Sequence, residues 1–106
     1  MRSLIDRISD AAGAVAAANR ARTFESALEE FVFSLQTVPD YPAAEISDEG
    51  FARLNALSER VIADIEHRLD GTALDEARRA RFAESVYDIR RAIEDAFTWR
   101  KHYLRR

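Results

Sequence analysis

The stretch Val38-Pro39-Asp40-Tyr41-Pro42 holds both prolines of this 106-residue chain, and Asp70-Gly71-Thr72 is the other clear interruption. A residue before proline is pushed out of helical conformation, so the first stretch stops a helix firmly. Gly71 tolerates the left-handed backbone that ends many helices. Upstream of the first break, apolar residues recur at Leu4, Ile8, Ala11, Val15 and Ala18, then at Phe24, Leu28, Phe31, Leu35 and Val38. Alternating steps of four and three are the period of a helix face. The register slips between Ala18 and Phe24, where Thr23 is placed to cap a new helix. One long helix kinked near residues 19–23 is expected, or two helices meeting at a bend.

Between the breaks, Ser47 is positioned as an N-cap, with Asp48 and Glu49 in the first turn. The apolar face that follows is Phe51, Leu54, Leu57, Val61, Ile62, Ile65 and Leu69. After the second break, Thr72 reads as a helix start, with Asp75 at the capping-box distance. That face runs through Leu74, Phe82, Val86, Ile89, Ile93, Ala96 and Phe97 to Tyr103 and Leu104. The fold class is therefore all-α: one domain over residues 1–106, an up-and-down bundle of three long helices. It becomes four if the first breaks near 19–23.

Hydrophobic residues make up 47% of the chain and charged residues 33%, a globular and helix-like balance rather than a disordered one. With no cysteine, a disulfide framework and thiolate metal sites are excluded. Asp6, Arg7 and Asp10 interrupt any apolar leader ahead of Ala16-Ala17-Ala18, and no stretch approaches the roughly 20 apolar residues needed to span a bilayer. A cytoplasmic protein with no membrane association is expected. Fifteen arginines against the single Lys101, with abundant alanine, suggest a GC-rich bacterial genome.

The net charge of −3 conceals a segregation: residues 40–76 carry −7 and residues 77–106 carry +5. An acidic second helix packed beside a basic third one accounts for it without an anionic partner.

Helix rise turns the breaks into geometry. At about 1.5 Å per residue the three patterns reach roughly 50, 33 and 48 Å, so the middle one is too short for its neighbours. Two overhangs follow. The first is small on every side, so Ile8, Ala11, Ala12, Val15 and Ala18 are candidates for self-association, either with a fourth helix of the same chain or in a homodimer. The second combines aromatic and basic residues, the types enriched at interfaces. It makes Phe97, Trp99, Arg100, Lys101, Tyr103 and Leu104 candidates for binding a protein partner.

One segment carries a likeness to known chemistry. His67-Arg68-Leu69-Asp70-Gly71-Thr72-Ala73 resembles the phosphorylatable histidine segment of histidine phosphotransfer domains, which reads His-x-Leu-Lys-Gly. Those domains are helical bundles of about this size, and the resemblance implies a phosphorelay role for His67. Asp70 stands where the family has lysine. There is no Glu-x-x-His pair for a di-metal site and no Gly-rich phosphate loop, so no catalytic, cofactor or metal site is expected. The leading expectation is a small non-enzymatic interaction protein, self-associating and presenting a helical surface to a protein partner. The alternatives are phosphotransfer at His67 and weak nucleic-acid binding through the basic C-terminal helix.

Overall fold

Four helices form: α1 (Leu4–Ala17), α2 (Ala21–Gln36), α3 (Asp48–Gly71) and α4 (Glu76–Leu104). The computed structural model describes residues 4–18, 20–38, 46–71 and 75–104. The first sequence pattern is thus two helices, and they do more than bend. The depression between them is lined at one end by Leu4 and Thr37 and farther along by Ala14 and Ala27, so α1 and α2 are an antiparallel hairpin. The turn uses neither glycine nor proline. Ala18 N–H donates to Val15 O at 3.3 Å, tightening the last turn of α1. Arg20 is extended (φ −109°, ψ 147°), and its carbonyl accepts from Phe24 N–H at 2.9 Å to start α2. No side chain caps that start, so Thr23 lies inside the first turn rather than at the cap.

The hairpin is held from outside. The Arg68 guanidinium donates to Ala18 O and lies 4.1 Å from the Phe24 ring centroid. One α3 side chain thereby satisfies the end of α1 and covers the first core residue of α2.

The second hairpin follows the sequence reading in part: Gly71 is the last residue of α3 itself, and no described glycine has a positive φ. Ser47 Oγ accepts from Gly50 N–H at 3.0 Å, the expected cap of α3. For α4 the cap is Asp75, whose Oδ1 accepts from Arg78 N–H at 2.8 Å, so the helix starts at Glu76. Thr72 and Leu74 lie outside the described residues, as does Tyr41 in the first break. Phe51 and Phe97 lie 6.0 Å apart at one end of this hairpin, and Arg90 reaches Glu66 at 3.8 Å towards the other, so α3 and α4 are antiparallel.

The two hairpins stack as two layers, α1 on α3 and α2 on α4. Ile5 meets Gly50, Ser9 Oγ accepts from Arg53 and Ala18 O accepts from Arg68, so α1 runs parallel to α3. Phe24 meets Phe82 edge-on at 5.2 Å, fixing α2 beside α4. The chain goes up, down, up and down, but its link from α2 to α3 joins helices that are diagonal rather than adjacent.

The core between the layers is continuous. Ile8, Val15, Phe24, Leu28, Phe31, Leu35, Leu54, Val61, Ile65, Phe82 and Ile89 are all fully buried. Burying side chains of this size stabilises by about 1.5–3 kcal/mol each before entropy is counted. Ser58 is the one buried polar residue among those described, and its hydroxyl donates to Leu54 O at 2.9 Å.

Part of the segregated charge is paired within the chain. Arg90 pairs with Glu66 and Arg100 with Asp48 across α3 and α4, and Arg78 Nε lies 3.2 Å from Glu25 on α2. Exposed pairs of this kind are worth little individually; they set the register of the layers more than their stability.

Candidate interaction surfaces

The fold-back relocates the first overhang. Ile8, Ala11, Ala12, Val15 and Ala18 form the inward stripe of α1 and are buried in the chain's own core. The alternative of a fourth helix accounts for them: α2 and α3 cover the stripe, and a second copy would have to displace those helices to reach it. The outer side of α1 is small but exposed at Gly13, Ala14, Ala16 and Ala17.

Between α1 and α2, on the outside of that layer, lies a depression of about 670 Å³. Its floor is Leu4, Ala11, Ala14 and Ala27; its rim includes Arg7, Asp10, Glu30 and Phe33. Phe33 is 68% exposed, the most exposed large apolar side chain described. The sequence held a signal for it. The inward stripe of α2 runs 24, 28, 31, 35, and a phenylalanine at 33 falls off that stripe, on the polar side.

The opposite layer has its own groove between α3 and α4. One part, about 560 Å³, is lined by Phe51, Ala52, Ile93, Phe97 and Thr98, with Asp48 and Arg100 at the end. A smaller part of about 150 Å³ continues along the same helices to Ile62 and Arg90. The two parts share Asn55, Ile93 and Glu94.

The residues singled out near the C-terminus divide. Phe97 is 55% exposed and forms one wall of the groove, rather than joining the core face assigned to it from sequence. Residues 89, 93, 96 and 100 turn inward instead, which leaves 97 about 100° off that line. Arg100 takes the inward place: its guanidinium pairs with Asp48 and lies 5.5 Å from the Phe51 ring centroid. Its Nε is buried with no acceptor among the described residues. Trp99 is half-buried against the core, and Lys101 is exposed. Tyr103 and Leu104 continue α4, but their side chains lie outside the described residues. Because Arg100 meets the first residue of α3, residues 101–104 of α4 run past it among the described residues, an overhang of about 6 Å.

Tyr87, the third exposed aromatic, is held along its own helix, its hydroxyl accepting from Arg91 at 3.1 Å. That hydroxyl, followed by the nearby carboxylates, raises the pKa of the Arg91 guanidinium above its ordinary value. His67 is exposed on the last turns of α3. Asp64 and Asp70 sit three residues to either side of it, the spacing of helix-surface neighbours, and both would repel a phosphoryl group. Among the described residues no group of three or more His, Cys, Asp or Glu side chains is arranged to hold a metal ion, and no helix is long and apolar enough to cross a membrane.

The surfaces define an all-α, two-layer helical bundle with a depression on each outer face. No family model matches the chain, and neither a curated protein nor a solved structure is similar to it.

Proposed function

We propose that the chain is a small non-enzymatic interaction protein that self-associates through the outer face of α1–α2 and offers the outer face of α3–α4 to a protein partner. The observation that carries this reading is the pair of depressions on opposite faces, each lined in part by a large exposed aromatic. Exposed rings beside apolar hollows are the usual marks of docking surfaces.

The α1–α2 face suits a second copy of the same chain. A two-fold interface must be self-complementary, with each residue meeting its counterpart's neighbour. Here a projecting ring, Phe33, stands beside a hollow of small side chains large enough to receive one. Self-association then leaves both α3–α4 grooves facing outward, giving a bivalent module.

Light scattering during size-exclusion chromatography tests this. The wild type is expected at twice the 12.1 kDa chain mass at tens of micromolar. Phe33→Glu is expected at the single-chain mass with an unchanged helical circular-dichroism spectrum. A wild type that stays at 12.1 kDa, or a dimer indifferent to Phe33→Glu, contradicts the proposal.

A further inference from the structure

We infer that the occupant of the α3–α4 groove is a basic amphipathic helix of about four turns; this rests on the reading of that face as a docking surface. The length of the groove sets the size of the occupant. From Asp48 to Ile62 the groove follows fourteen residues of α3, about 21 Å, which a helix of about fourteen residues matches. A channel between two antiparallel helices takes a third helix by its apolar stripe, anchored at spacings of three and four. Phe97, Ile93 and Phe51 are the surfaces such anchors would meet.

Charge then selects the partner. The two arginines at the groove's edges are already neutralised, Arg90 by Glu66 and Arg100 by Asp48. Glu59 and Glu94 line the groove from opposite helices, and neither has an ion-pair partner among the described residues. A docked helix flanked by lysine or arginine would place a cation against each; an acidic one would meet Glu59 and a Glu94 that is offset only by Arg91 on its own helix, beyond ion-pair distance. Opposed charges of this kind suppress wrong partners more than they add affinity.

The test uses two synthetic fourteen-residue amphipathic helical peptides, one with leucine and lysine, the other with glutamate in place of lysine. Each is labelled and titrated with the full-length protein by fluorescence anisotropy. The lysine peptide is expected to bind, and the glutamate peptide to bind at least about tenfold more weakly. Glu59→Lys with Glu94→Lys is expected to reverse that order. Glu29→Lys with Glu84→Lys, an equal change of net charge away from the groove, is expected to preserve it. Phe97→Asp is expected to abolish binding of either peptide. If the glutamate peptide binds better and Phe97→Asp abolishes it, the docking face stands and the basic partner is overturned. The basic partner is overturned equally if both charge-reversal pairs act alike. If neither peptide binds, or Phe97→Asp changes nothing, the docking face itself falls and the inference with it.

Discussion

Phe24→Ala is expected to lower the free energy of unfolding by about 3–5 kcal/mol, the range for emptying a large aromatic site in a core. The ring is fully buried where three helices meet. It packs edge-on against Phe82 of α4 at 5.2 Å and 71°, and Arg68 of α3 covers one face. Aromatic pairs contribute about 0.5–1.5 kcal/mol beyond the area they bury, so the loss should sit in the upper half of that range. For a domain of this length each kcal/mol moves the melting temperature by about 4–8 °C, so a drop of about 15 °C or more is expected in a thermal scan. A loss below about 1 kcal/mol, the size of an ordinary surface change, would contradict the packing of α2 on α4 around this ring.

Arg68→Ala is expected to cost about 2–4 kcal/mol in urea unfolding. A hydrogen bond from a charged donor is worth about 1.5–3 kcal/mol, and here its loss also strips the Ala18 carbonyl, just past the end of α1, of its Arg68 partner. The contact with the Phe24 ring adds about 0.5–1 kcal/mol. Arg68→Lys should recover only part, because a compact ammonium cannot both stack on the ring and reach the carbonyl as a planar guanidinium does. A cost within about 0.5 kcal/mol would mean that the turn between α1 and α2 holds without α3.

These two residues also explain where the sequence was readable. The Ser47 cap, the inward faces of α3 and α4 and the proline-bounded break are local signals, each written within a few residues of where it acts. The reversal after Ala18 is not local. Nothing between Ala18 and Phe24 forbids a continuous helix, and the contact that closes the turn comes from Arg68, fifty residues away. A kink was visible in the slipped stripe; its sharpness was not.

The consequence reached the surfaces. With α1 read as an overhang, its apolar stripe needed a partner; folded back, it became core and the exposed surface moved to Phe33. At the other end, Phe97 and Arg100, both expected at a partner surface, divide: Phe97 is exposed on the groove and Arg100 turns inward. A one-residue step on a helix turns a side chain by about 100°, and an arginine that can pair with Asp48 tolerates the inward position.

The outer face of α1–α2 exists only if α1 folds back on α2, so the distance across that hairpin is the most direct test of this architecture. The chain has no cysteine, so Arg7→Cys with Ser34→Cys gives two unique labelling positions, and both line the same depression. Pulsed electron-electron double resonance on doubly spin-labelled protein, diluted with unlabelled protein, is expected to give a separation below about 20 Å. A straight helix over the same span would hold the two sites about 40 Å apart, and a distribution centred there would contradict the fold-back and the α1–α2 surface with it.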